Sequence, residues 1–178
     1  MSAGRPLLAL VLVATLFATA CGSGGGALAT AAECPAPSPL PTARPRTFSD
    51  TPYVSQVNAY VERLMQLREE ERAKYPDRTY SSSDDFRVTF ATYADNTICT
   101  GTNMIQLQPT STRVAQYKTA LDAAVTAYID HTKAGRDAVK SRNVSDYRRW
   151  YDGVDAKLQA VMTAARASFT GASARGNP

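Results

Sequence analysis

The chain has 178 residues and a formal net charge of +4, from 20 lysines and arginines against 16 aspartates and glutamates. So small a basic excess does not favour nucleic acid as a partner. One histidine, His131, and three cysteines exclude the multi-histidine centres of zinc enzymes and di-iron bundles. Neither a serine-hydrolase elbow nor a phosphate-binding glycine loop occurs. We therefore expect a non-enzymatic protein without catalytic residues, metal or cofactor.

Residues 1–20 have the features of an export signal. Arg5 is its only charge, and the apolar run Leu7 to Ala18 is shorter than the about 20 residues that span a bilayer. The sequence Ala18-Thr19-Ala20-Cys21 that follows resembles the lipobox of bacterial lipoproteins, with alanine in place of the usual first leucine. The resemblance implies that Cys21 becomes the N-terminus, carries a diacylglyceryl group and holds the protein on the extracytoplasmic side of the cell membrane. Ala18-Thr19-Ala20 also fits the cleavage site of an ordinary exported protein.

The cysteine count agrees with the lipoprotein resemblance. Lipidation of Cys21 would leave Cys34 and Cys99 as an even pair, whereas ordinary secretion would leave an odd thiol in an oxidising compartment. We expect a disulfide between Cys34 and Cys99, with a stabilisation of about 4 kcal/mol for a loop of that size.

Residues 21–47 show no hydrophobic period and change from glycine and alanine to closely spaced prolines. Such a composition predicts a Gly/Pro-rich tether that forms a stalk. Residues 171–178 are expected to be a disordered tail, and residues 48–170 to form the folded domain.

The first helix is predicted from Thr51-Pro52, a capping residue followed by a proline suited to the first turn, to the stop at Tyr75-Pro76. Valines and leucines recur through it at helical spacing. Its end is densely charged, with Glu69 three residues before Arg72 and Glu70 four before Lys74. We interpret this end as a solvated face.

Residues 84–106 are ambiguous. Phe86, Phe90, Tyr93 and Met104 fit a helical stripe with Ser83 as its cap, but alternating valine, threonine and phenylalanine also suit a β-hairpin. We favour the helix, because an isolated hairpin is marginally stable.

Two longer periodic segments follow, over about 112–142 and 144–169. The short link Ser141-Arg142-Asn143, with Asn143 as a cap, predicts an antiparallel hairpin. The whole domain is then an all-α, up-and-down bundle of about four helices. Gly135 and Gly153 should lie at similar heights on the two arms, and at least one is expected to mark a close helix approach; tolerated exposed glycines are the alternative.

Basic residues gather around this hairpin turn, beside the only tryptophan. They form a candidate docking surface for an envelope protein, a lipid headgroup or an anionic polymer, with the tryptophan as anchor. The residues of this candidate surface are Arg136, Lys140, Arg148, Arg149 and Trp150. A salt-bridged hairpin end whose tryptophan caps the core is the alternative interpretation.

We expect a membrane-anchored binding or scaffolding module of the cell envelope. The alternative is a carrier or sensor that holds a small apolar or aromatic ligand between its helices. A filled interior would favour the first function. A cavity lined by Tyr93, Tyr117, Tyr128 and Met104 would favour the second.

Overall fold

The computed structural model describes residues 51–76, 80–109 and 111–173. Four α-helices make up this part of the chain: α1 (Thr51–Lys74), α2 (Asp84–Gln106), α3 (Thr112–Lys140) and α4 (Val144–Ser173). The all-α prediction is confirmed, and residues 84–106 form a helix. The hairpin alternative is therefore wrong. Helix α4 includes the first three residues of the predicted tail. The signal peptide, Cys21, Cys34 and the tether lie outside the described residues.

The helices form a ring of four. Each helix packs against its neighbour in the chain, and α4 closes the ring against α1. Across the centre of the ring, aromatic side chains of α2 and α4 meet, as between Phe90 and Trp150. The end of α1 meets the beginning of α2, where Lys74 donates to the Thr89 hydroxyl at 2.8 Å. The α3–α4 pair is antiparallel, since His131 lies beside Gly153 and Gly135 beside Trp150. This is the up-and-down order that short connections require.

Local sequence sets where three of the helices begin. The hydroxyls of Ser83 and Ser111 accept backbone N–H bonds of 3.2 Å and 3.3 Å from the third residue after each. Asn143 Oδ1 accepts the Asp146 N–H at 3.2 Å. Each bond satisfies a backbone donor that has no partner inside the first helical turn. The caps predicted at Ser83 and Asn143 are confirmed.

The turn between α3 and α4 is a Schellman motif. Arg142 has φ 57°, the left-handed conformation. Its N–H donates to the Val139 carbonyl at 3.2 Å, and the Asn143 N–H donates to the Ala138 carbonyl at 2.8 Å. These bonds satisfy the last carbonyls of α3 and reverse the chain in three residues. Glycine usually occupies the left-handed position, so Arg142 carries a conformational cost there.

An aromatic cluster fills one half of the core. Trp150 lies at its centre, with ring centroids 4.7 Å from Phe90, 5.5 Å from Tyr147 and 6.0 Å from Tyr93. Most of the contacts are edge-to-face, the arrangement that aromatic quadrupoles favour. Trp150 is 1% exposed.

Two glycines allow this packing between α3 and α4. A Cβ at Gly135 would lie 2.5 Å from Trp150 Cγ, and a Cβ at Gly153 would lie 2.9 Å from His131 Nε2. The predicted close approach is therefore present at both. A third close approach lies at Gly101 of α2, which the sequence analysis did not single out: a Cβ there would lie 2.8 Å from Ile129 Cγ1.

Candidate functional site

An open groove of about 440 Å³ runs between the first half of α2 and the last turns of α3. It lies at the end of the bundle where α3 turns into α4. Both aliphatic and charged side chains form its walls. Ten residues line this groove, called the α2/α3 groove below: Asp84, Arg87, Val88, Phe90, Ala91, Asp95, Arg136, Asp137, Val139 and Lys140.

One ion pair joins the two walls, and a second lies within the α2 wall. Arg136 of α3 donates across the groove to Asp95 of α2, with 2.6 Å between Nη1 and Oδ1. Within α2, Arg87 pairs with Asp84 at 2.9 Å. These four charges offset one another, so the groove has no strong net sign.

Three lining side chains are available to a partner. Val88 is 67% exposed, against 39% for Val144, the other large hydrophobic side chain exposed in the described part of the chain. Asp137 and Lys140 form no ion pair with any described residue and are exposed. An apolar side chain flanked by available charges suits contact with another macromolecule.

The predicted docking surface coincides in part with this groove. Arg136 and Lys140 line it, whereas Arg148 and Arg149 lie on the first turns of α4, outside the lining. Arg149 pairs with Asp146 at 2.9 Å. The use of Trp150 as a surface anchor is wrong, because that side chain is buried at the centre of the aromatic cluster. Its apolar area is worth more in the core than at the hairpin end.

A second polar cluster is buried between α1 and α4. Arg68 is 2% exposed and Glu71 3% exposed, and the two form an ion pair. Arg68 Nε also donates to Asp155 Oδ1 at 2.8 Å, and Arg72 pairs with the same carboxylate. The interpretation of the charged end of α1 as a solvated face is thus wrong for Arg68 and Glu71. The pair predicted between Arg72 and Glu69 is replaced by the pair with Asp155.

Aromatic rings explain how an arginine is tolerated there. The Arg68 guanidinium lies 5.6 Å from the ring centroid of Trp150 and 4.9 Å from that of Tyr151. Delocalised guanidinium groups are weakly hydrated and stack on aromatic faces. Two aromatic rings and two carboxylates therefore replace the water that would otherwise hydrate the Arg68 guanidinium.

The cluster shifts its own carboxyl groups in opposite directions. Burial raises the pKa of Glu71, and the charge and hydrogen bond of Arg68 offset only part of that effect. Burial also acts upward on the pKa of Asp155, but the hydrogen bonds and charges of Arg68 and Arg72 outweigh it and lower that pKa. Asp155 is the stronger anionic partner of Arg68.

Buried tyrosines lie beside this cluster. The hydroxyls of Tyr93 and Tyr128 are 3.5 Å apart. Burial raises the pKa of both, and it raises that of Tyr147 with the Glu71 charge as a further cause. Arg68 is paired with both Glu71 and Asp155, so the charges of the cluster are directed at one another. The cluster is suited to fixing the packing of α1 on α4.

The residues proposed to line a ligand cavity have packed positions. Tyr128 is 0% exposed, Met104 2% and Tyr93 6%, and all three belong to the hydrophobic core. Tyr117 is half-buried on α3. Three of these four side chains are therefore core residues.

The remaining predicted positions have structural environments. His131 Nε2 lies 2.9 Å from the Trp150 carbonyl oxygen, and no group of three or more potential metal ligands occurs within residues 51–76, 80–109 and 111–173. Cys99 is half-buried on α2 and disulfide-bonded. Its partner lies outside the described residues, so the pairing with Cys34 stays a prediction. None of the four described helices combines the length and apolar content that a membrane crossing needs.

Comparison of the chain with protein-family models, curated proteins and solved structures finds no match.

Proposed function

We propose that this protein is a lipid-anchored, non-catalytic docking module of the bacterial cell envelope. Cys21 holds it on the extracytoplasmic side of the membrane, and the helical bundle presents the α2/α3 groove to a protein partner. The anchor follows from the sequence Ala18-Thr19-Ala20-Cys21 and its resemblance to a lipobox. The docking function follows from the groove.

The observation that carries the docking function is the exposed Val88 between ion-paired walls. Val88 and Val144 are the exposed large hydrophobic side chains of the described residues, and Val88, the more exposed of the two, lies at the groove. The Arg136–Asp95 bridge presets the groove, which limits the ordering cost when a partner binds. Asp137 and Lys140 supply charges of both signs at its edge, a pattern that sets orientation and specificity.

Site-specific crosslinking in the native envelope tests this function. A photoreactive amino acid replaces Val88 in one variant and Gln159 of α4 in another; both positions are exposed, and Gln159 does not line the groove. We expect a discrete crosslinked species from position 88 that is absent from position 159. Equal, diffuse crosslinking from both would refute docking at the groove.

A charge reversal then tests the groove edge. Lys140→Glu should weaken the position 88 crosslink several-fold, because it turns one available cation into an anion. Lys157→Glu makes the same charge change at an exposed site of α4 away from the groove and should leave the crosslink unchanged. Loss of the crosslink in both variants would indicate a general charge effect instead of local recognition.

A further inference from the structure

We infer that the disulfide of Cys99 sets how far the bundle can stand from the membrane, and hence which partners the α2/α3 groove can reach. The inference rests on the proposed anchoring at Cys21. It adds that the groove serves a membrane-proximal partner. It is carried by the disulfide-bonded state of Cys99 and by the place of Cys99 on α2.

Cys99 lies on the same face of α2 as the groove. Val88 precedes it by eleven positions, which is just over three whole turns, and Asp95 precedes it by four. Residues at these spacings share one side of a helix. Along the axis, Cys99 and Val88 are about 16 Å apart. A chain segment joined to Cys99 is therefore attached close to the groove.

The bundle allows Cys34 to be that partner. The end of α1 meets the beginning of α2, so Thr51 lies at the level of the other end of α2. Cys99 is seven residues from that end, or about 10 Å along the axis. Cys34 precedes Thr51 by 17 positions, a reach of about 60 Å. The segment between Cys34 and Thr51 is therefore long enough for Cys34 to bond to Cys99. Cys21 is excluded as the partner if its thiol carries the lipid.

The disulfide shortens the path from the anchor to the bundle. Cys34 follows Cys21 by 13 positions and Thr51 follows it by 30. Fully extended, these segments span about 45 Å and about 105 Å. With the disulfide, the greatest distance between the anchor and the groove is about 65 Å. It is the sum of the extended segment from Cys21 to Cys34, the length of the disulfide bridge and the distance from Cys99 to Val88 along α2.

Without the disulfide, that reach more than doubles. The path then runs through residues 22–50 and the length of α1, which gives about 140 Å. The oxidised protein consequently serves partners at or just above the membrane surface. A partner more than about 65 Å away is reached only when Cys99 is unpaired.

Neutron reflectometry on supported bilayers measures this directly. The full lipidated chain is compared with Cys34→Ser and, as the matched variant, Cys99→Ser. The protein layer of both variants should extend outward by at least about 10 Å relative to the wild type, the difference expected between coils of 13 and 30 residues. The double variant should show the same shift as either single variant. Identical profiles for wild type and single variants would overturn the inference.

Two controls separate this result from loss of fold or loss of anchor. Far-ultraviolet circular dichroism must show unchanged helix content in each variant. A chain that carries no lipid fails to bind the bilayer, and that outcome contradicts the anchoring. The disulfide is then tested on the mature chain in solution by small-angle X-ray scattering, where Cys34→Ser must increase the maximum dimension. An unchanged dimension would refute the role of the disulfide independently of the anchor.

Discussion

Replacing Gly135 by alanine tests the packing of α3 against α4. The new Cβ would lie 2.5 Å from Trp150 Cγ and 2.6 Å from Cδ1, far inside normal contact. Trp150 cannot withdraw, because Phe90 packs edge-on against it at 4.7 Å and Tyr147 lies at 5.5 Å. Relief therefore requires the helices to move apart.

The magnitude follows from two opposing effects. Overpacking of a filled core costs about 1–3 kcal/mol, and a contact this short belongs at the upper end. Alanine gains about 1 kcal/mol over glycine within a helix. We expect Gly135→Ala to lower the free energy of unfolding by about 2 kcal/mol, with a fall in Tm of about 8 °C for a domain of this size.

Gly153→Ala is the matched control. Its Cβ would meet the His131 ring at 2.9 Å. That ring is half-buried, and turning it aside sacrifices its hydrogen bond to the Trp150 carbonyl, a cost of about 1 kcal/mol that the gain in helix propensity offsets. We expect a change within about 0.5 kcal/mol. Urea unfolding followed by circular dichroism compares the two variants. A Gly135→Ala protein as stable as the wild type would refute the packing argument.

Three further changes test other parts of the fold. Asp155→Asn should cost about 1 kcal/mol at neutral pH after allowance for solvent screening. Because Arg68 and Arg72 hold the pKa of Asp155 below its usual 3.8, the stability from this carboxylate is present above that pH and is lost as pH falls through the lowered pKa. Urea unfolding at pH 7 and pH 3 should show a smaller wild-type advantage at the acid pH, and a constant advantage would contradict the assignment. Arg142→Gly should stabilise by about 1 kcal/mol by relieving the left-handed backbone, and a loss of stability in thermal unfolding would argue against the turn described. Ser83→Ala should cost about 1 kcal/mol as the α2 cap is lost; hydrogen exchange at the Phe86 amide should accelerate, and unchanged protection there would show that the cap is unimportant.

The helices could be predicted from the sequence because their signals are local. The starts of α2 and α4 depend on Ser83 and Asn143, whose side chains bond to backbone only three residues away. The periodicity of residues 84–106 suits either a helix or a strand, and the helices packed around the segment favour the helix. Three other helices offer that segment an apolar face, and no second strand is available among the described elements.

The buried charges and the groove depend on contacts distant in sequence. Arg68 looks like a surface residue among the charges of α1. Besides its neighbour Glu71, its burial depends on Asp155, 87 positions away, and on the rings of α4. A charge run does not indicate which of its members faces the core. The two interpretations of Trp150, surface anchor or core residue, stayed open for a related reason, since its charged neighbours conceal that it faces Gly135.

Arg136 and Lys140 of the predicted docking surface line the α2/α3 groove, whose shape could not be predicted from the sequence. The groove lies between α2 and α3, and its opening depends on small separations between packed helices. Val88 could not be recognised from the sequence as an exposed residue of a binding surface. It alternates with Phe86 and Phe90 in a pattern that also suits one face of a strand.

The intact mass of protein extracted from its own membranes, without reductant, tests anchoring and docking from the membrane most directly. The predicted result is a mature chain that begins at Cys21. Its mass is higher by a diacylglyceryl group and lower by the two hydrogens lost in a disulfide. A chain that begins elsewhere, or an unmodified chain recovered from the soluble fraction, would contradict the proposed anchor.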